Sequence, residues 1–261
     1  MPRALADPRA AQVVHRSGRA NRALWFLAAF TGVLVAVAVL GAVLLTGANG
    51  GRDDRVEREV SALLAGIPQE GQTLGARTAS VTLQVFAELE DYSSKGEFLR
   101  ELPATIREFV RTNRLRIEYR AFKTNTIESE MFVKQQAAAL AAGAQDKLWN
   151  YAYTFYNEQG IERTPYATES YLENIARQVP LLNIKQWDTD RNADPRAEQV
   201  VEEDQQGRAE GIHVTPAYRI GRTGGALHNI EGSGSIIYPG QIHPTTYANA
   251  KDIAKAIAQI H

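Results

Sequence analysis

The chain has 261 residues, 44% hydrophobic and 23% charged, an ordinary globular composition with room for one sizeable domain and appendages. Its formal net charge of −1 leaves no whole-chain basic footprint, which argues against a nucleic-acid-binding protein. It contains no cysteine, so thiol–disulfide exchange is chemically closed to it.

Residues 1–22 carry Arg3, Arg9, Arg16, Arg19 and Arg22 against a single acid, Asp7, and read as a basic tail. From Ala23 to Thr46 no side chain is charged. At about 1.5 Å per residue this segment reaches roughly 36 Å, enough to cross a hydrocarbon core of about 30 Å, and it is read as a transmembrane helix. Trp25 suits the interface, and the preceding arginines predict a cytoplasmic N-terminus with everything after Gly47 outside the cell membrane. The rival reading is a cleaved signal peptide, for which Thr46-Gly47-Ala48 offers small residues. Against it, the apolar stretch exceeds the roughly 7–15 residues of a signal core. An extracytoplasmic address permits disulfides, so compartment does not explain the missing cysteines.

Gly47 to Gly51 reads as a joint, and Asp53 to Leu64 has helical periodicity through Val56, Val60, Leu63 and Leu64, with Asp53 or Asp54 as cap. That helix is either a stalk or packs on the domain. Residues 67–78 are polar and turn-rich, so 47–78 is taken as a linker and 79–261 as the folded domain. Ser80 to Phe86 reads as a buried strand, Glu88 to Lys95 as a turn, and Phe98 to Val110 as a helix with Phe98, Leu99, Leu102, Ile106, Phe109 and Val110 apolar. Leu115 to Phe122 is a second strand, alternating Leu115, Ile117, Tyr119 and Ala121 with charged residues. Strand, helix and strand in this order imply a right-handed parallel crossover.

A helical insertion follows, about 123–212, with helices predicted at Met131 to Ala144, Lys147 to Glu158, Thr168 to Val179, Ile184 to Arg191 and Ala197 to Gly211. Strand character returns at Ala217 to Gly221. A turn at Thr223 to Gly225, a weaker strand near Leu227 to Glu231, and a closing helix from Thr246 to Ile260 complete an α/β pattern.

This layout resembles the DsbA-like branch of the thioredoxin superfamily, a thioredoxin fold with a helical domain inserted. Four local features carry the resemblance over about 79–261: Leu83-Gln-Val-Phe-Ala-Glu-Leu-Glu90 before the turn, Leu102-Pro103 in the helix, Tyr119-Arg-Ala-Phe122 at the second strand, and Val214-Thr215-Pro216 before the third. Ala137 to Ala142, Lys147 to Trp149 and Tyr153 to Phe155 also look like the family's first inserted helices, and helix packing accounts for them. The resemblance implies a cis Thr215–Pro216 bond, in a loop facing the active-site turn. It places the family's Cys-x-x-Cys, which a helix N-terminus activates, on Asp91-Tyr92-Ser93-Ser94. Both sulfurs are missing.

For that degenerate turn, Asp91, Ser93 and Ser94 suit helix capping. A sharper arrangement makes Ser94 a nucleophile with Asp91 and His213, but no nucleophile elbow or oxyanion hole accompanies it. No metal or cofactor signature is found: Gly221 to Gly225 and Gly232-Ser-Gly234 lack the lysine and the strand–loop–helix setting of a phosphate loop. What remains is the groove. In thioredoxin-like folds the loop before the proline leaves backbone groups free to pair with an extended peptide, here Val214, Thr215 and Pro216, with Tyr92 and Tyr218 as aromatic neighbours. The expectation is therefore a membrane-anchored, extracytoplasmic protein without redox cysteines and without a cofactor, binding polypeptide or an envelope partner protein. The alternatives are an enzyme of non-redox chemistry at the turn, or an interaction module working through its membrane helix and stalk.

Overall fold

The computed structural model describes residues 51–52, 54–236 and 245–260. The predicted basic tail and membrane span lie outside the described residues. Among those described, no helix is long and apolar enough to cross a membrane.

The centre of the domain is β3 (Val81–Ala87), buried along its whole length. It pairs in parallel with β4 (Leu115–Ala121), in the register Val85 to Tyr119 and Ala87 to Ala121. On its other side it pairs antiparallel with β5 (Ala217–Arg222), Val85 facing Tyr218. Because β3 and β4 are parallel and end together, the turn after one and the loop after the other emerge at the same sheet edge. Two short hairpin strands, β1 (Gln69–Glu70) and β2 (Thr73–Leu74), extend the sheet beyond β4, and β6 (His228–Asn229) closes it beyond β5.

The β1–β2 hairpin corrects the domain start near Ala79. The polar stretch 67–78 is part of the sheet, with Leu74 fully buried. Gly75 follows at φ +117°, where an added Cβ would lie 2.9 Å from the Leu115 carbonyl oxygen, so the chain passes β4 too closely for a side chain. The helix before it, α1 (54–64), also packs on the domain. Val56, Val60 and Leu64 are buried, and the Arg111 guanidinium donates to the carbonyls of Ala62, Leu63 and Ala65. Arg111 thereby satisfies carbonyls that a helix C-terminus leaves open.

After β3 the chain is helical from Tyr92 to Val110: α2 (Tyr92–Gly96), a wide π-type turn (Glu97–Glu101), α3 (Leu102–Thr105) and a second wide turn (Ile106–Val110). Pro103 is the local reason for the first widening, since it has no N–H to give Leu99 and its ring would crowd that carbonyl in a regular helix. The helix starts six residues before the predicted Phe98 because its cap is Asp91.

The insertion between β4 and β5 comprises α4 (Ser129–Gly143), α5 (Leu148–Glu158), α6 (Glu169–Arg177), α7 (Ile184–Arg191) and α8 (Asp194–Ala209). It joins the sheet layer through Phe98, which stacks on Trp149 with centroids 5.8 Å apart and contacts Tyr153 at 5.5 Å and Tyr156 at 4.6 Å. Trp187 is fully buried and donates its indole N–H to the Ala138 carbonyl, tying α7 to α4. Near the C-terminus, β7 (Gly234–Ile236) and β8 (Thr245–Tyr247) form a separate two-stranded sheet. The closing helix α9 (Ala250–Gln259) starts four residues after the predicted Thr246, where a capping box of Asn249 and Asp252 defines its first turn.

Candidate functional site

The site is built where β3 and β4 end. Asp91, in extended conformation, is the N-cap of α2 and is 1% exposed. Its Oδ1 accepts from the Ser93 amide at 3.1 Å and from Asn125 Nδ2 at 2.6 Å. Its Oδ2 accepts from the Ser94 amide and hydroxyl, both at 2.8 Å, and contacts the Thr215 hydroxyl at 2.9 Å. The N-terminal amides of a helix form an anion site, and here a carboxylate of the protein's own fills it. Burial pushes the Asp91 carboxyl above its ordinary range, and the hydrogen bonds from Ser94, Thr215 and Ser93 offset part of that rise.

Glu88 is equally buried and lies beside Asp91. The loop after β4 wraps its carboxylate: the amides of Thr124, Asn125 and Thr126 and the Thr124 hydroxyl all donate at 2.6 Å. Thr124 and Thr215 in turn place their hydroxyl oxygens 2.6 Å apart. Glu90 accepts from Gln135 Nε2 on α4 at 3.0 Å and from the Arg163 amide at 2.7 Å. Four separate chain segments therefore converge on three carboxyls, each hydrogen-bonded as a buried polar group requires.

Above this layer, Thr215–Pro216 is a cis peptide bond. The β5 ladder begins only at Ala217, and the backbone groups of Val214 and Thr215 make no hydrogen bond among the described residues. The segments that meet in this layer also carry exposed apolar side chains. Tyr92, Ile127, Ile161 and Val214 account for four of the six large apolar residues exposed in the described chain. The Tyr92 hydroxyl donates to the Gly160 carbonyl and accepts from the Glu162 amide, which ties it to the loop that carries Ile161. Ile127 and Val214 adjoin Thr126 and Thr215, residues of the carboxyl layer.

The predicted turn Asp91 to Ser94 and the loop Val214 to Pro216 thus meet directly, through Thr215 and Asp91. Two neighbours do not behave as the sequence suggests. Tyr218 is 1% exposed and is no rim contact for a ligand. His213 is exposed and bonds to neither Ser94 nor Asp91, and Ser94 is fully buried, its hydroxyl accepting from the Glu88 amide and donating to Asp91. The nucleophile arrangement is not assembled. No cluster suited to a metal ion occurs among the described residues. Sequence reasoning missed Thr124, Asn125, Thr126, Ile127, Ile161 and Arg163. The first three had a signal, since they follow a strand parallel to β3 and have to emerge beside its turn.

A six-stranded sheet with one parallel pair at its centre, helices 129–209 inserted between β4 and β5, and a cis proline facing a capped helix start decide the architecture. The fold is that of the DsbA-like thioredoxin proteins. BdbD from Bacillus subtilis in its oxidised form matches with a TM-score of 0.57 and 14% identity over 74% of this chain and 96% of its own. Chlamydia trachomatis DsbA matches at 0.56 and 17% over 72% and 90%. Wolbachia pipientis alpha-DsbA1 matches at 0.53 and 17% over 76% and 92%. No protein-family model and no curated protein matches the sequence. At these identities the likeness is one of fold, carried by a chain without a single cysteine.

Proposed function

We propose that this DsbA-like chain is a membrane-anchored, extracytoplasmic binding protein that takes up extended polypeptide, or a segment of an envelope partner protein, without turnover. The observation that carries the reading is the backbone of Val214 and Thr215 at the open end of β5, which makes no hydrogen bond among the described residues, at a site whose segments also carry the exposed Tyr92, Ile127 and Ile161. Unpaired donors and acceptors beside an exposed apolar rim suit the addition of an extended strand, backbone bonding giving affinity and side-chain contacts giving selection. The resemblance aligns the family's first cysteine with Asp91, whose carboxyl is tied to Ser94, so on this reading a bound chain meets a hydrogen-bonded wall. The uncharged segment from Ala23 to Thr46, behind a basic tail, supports the anchor and the address.

The test is fluorescence anisotropy of labelled, unstructured peptides with the full chain in detergent. Val214→Pro deletes one backbone donor beside Thr215 and Ile161→Ser removes an apolar rim contact, and each weakens binding by about tenfold, the worth of roughly one hydrogen bond or one exposed apolar contact. Binding that is unaffected by both substitutions contradicts the reading. Protease treatment of sealed vesicles checks the address: residues after Gly47 are cut from the extracytoplasmic side.

A further inference from the structure

Beneath the groove, hydroxyl hydrogens are one short. Glu88 Oε2, Thr124 Oγ1, Thr215 Oγ1 and Asp91 Oδ2 form a line of three contacts at 2.6, 2.6 and 2.9 Å. Oxygens this close need a hydrogen between them, and each threonine hydroxyl has one to give. Two hydrogens fill two of the three contacts. The backbone amides around the line are already committed to Glu88 and to Asp91, and Asn125 Nδ2 donates to the other Asp91 oxygen. The third hydrogen has to sit on a carboxyl.

We propose that Glu88 and Asp91 form a proton-binding site that holds one proton between them along Thr124 and Thr215, and that this proton sets the groove loop. The inference rests on the reading of Val214 to Pro216 as a groove and adds its regulation. Glu88 faces three backbone amides, which are fixed donors that favour its charged form, whereas Asp91 faces two. The proton therefore rests on Asp91. From there Asp91 donates to Thr215, Thr215 to Thr124, and Thr124 to Glu88. When the proton leaves for solvent, Thr215 turns its hydrogen back to the Asp91 carboxylate and the Thr124–Thr215 contact is left with none. Two oxygens at 2.6 Å without a hydrogen repel, and Thr215, whose backbone is the groove, is the member on a loop outside the sheet ladder.

The surroundings favour the bound proton. Glu90 on the turn and Glu162 on the loop after α5 add negative field, and Glu162 is itself pushed up, by burial first and by Asp91 next. Tyr119 on β4 and Tyr156 on α5 lie close as neutral phenols. Arg163 opposes the proton, holding Asn125 Oδ1 at 3.4 Å, as do Lys95 and Lys123, chain neighbours of Ser94 and Thr124, while His213 stays exposed two residues before Thr215. Burial of Asp91 acts in the same direction as Glu90 and Glu162.

Carbon-13 NMR of the Asp and Glu side-chain carboxyls, on the full chain in detergent micelles from pH 4 to 9, reads the site without any ligand. The result expected is an Asp91 step above the ordinary carboxylate range, with the Glu88 carboxyl signal moving at the same pH as it senses the shared proton. The Glu88 signal no longer moves in Asp91→Asn, which has no proton to lose, and the two sites uncouple in Thr215→Val. Peptide affinity measured in parallel falls about fivefold or more from pH 5 to pH 8 in the parent and stays level in Asp91→Asn, in line with coupling of a proton to a second site. An Asp91 step at ordinary carboxylate pH, or one to which the Glu88 signal does not respond, overturns the proposal, even if peptides bind. A shared step with no peptide binding at any pH leaves the proton site standing and overturns its role in the groove, together with the groove reading.

Discussion

Asp91 and Glu97 are buried carboxyls on one helical segment, 1% and 3% exposed, and their surroundings differ in kind. Asp91 is met by two backbone amides, two hydroxyls and a side-chain amide. Glu97 sits at the first wide turn, and among the described residues neither of its oxygens has a well-formed hydrogen bond, nor have the nearby Tyr153 and Tyr218 hydroxyls. Burial pushes the Glu97 carboxyl up to about 7, the Tyr218 phenol offsetting part of the rise. A buried carboxyl can be accommodated by fixed donors or by keeping its proton. At the site fixed donors accompany the proton that Asp91 holds, whereas Glu97, six residues further on, relies on its proton alone. Asp91 therefore belongs to a constructed layer, whereas Glu97 is tolerated in an apolar setting as a neutral acid.

The largest effect is expected from Asp91→Ala, which uncaps α2 and strands its donors. A loss of about 3 kcal/mol or more should be seen in guanidinium unfolding followed by tryptophan fluorescence, in the range for a buried polar hub. A loss below about 1 kcal/mol means that the layer does not hold the turn.

Next comes pH. The folded chain binds the Glu97 proton more tightly than the unfolded chain, so that contribution is complete below about 4.5 and is lost as pH rises through about 7. Stability is expected to fall by about 2 kcal/mol between pH 5 and pH 8. Glu97→Gln removes its own contribution to this slope and is more stable than the parent at pH 8. The raised Asp91 carboxyl works in the same direction, so part of the slope survives in Glu97→Gln and is abolished by adding Asp91→Asn. Denaturation midpoints at four pH values separate the two groups, and a slope of opposite sign would refute both assignments.

Smaller substitutions set the two regions apart more finely. Thr215→Val loses its bonds to Asp91 and Thr124 and costs about 1 kcal/mol, the usual worth of a buried hydroxyl pairing. Tyr218→Phe removes a phenol without a well-formed bond and stays within about 0.5 kcal/mol of the parent at pH 5. Equal losses from these two substitutions would mean that the two buried polar regions are not different in kind.

Much of the architecture was legible. Strand 80–86, the alternation from Leu115 to Ala121 and the apolar spacing of the insertion are strong periodic signals, and each element appears within a few residues of its expected place. The hairpin 69–74 was not legible, because two-residue strands carry no periodicity and their polarity reads as linker. The site was half legible. Asp91 announces itself as a cap, and Thr215–Pro216 as a loop beside the turn. The Thr124 to Thr126 cradle and the Ile127 and Ile161 rim depend on long-range pairing, which local pattern does not encode. Tyr218 misled because β5 turns it inward against Glu97 and Tyr153.

Amide hydrogen exchange on the full chain, with and without an excess of extended peptides, tests the groove most directly. A groove that binds chains after losing its thiols predicts new protection confined to Asp91 to Lys95 and Val214 to Tyr218, with the α4–α8 insertion unchanged. Unchanged exchange at both segments in a folded protein, or protection confined to the insertion, would contradict it.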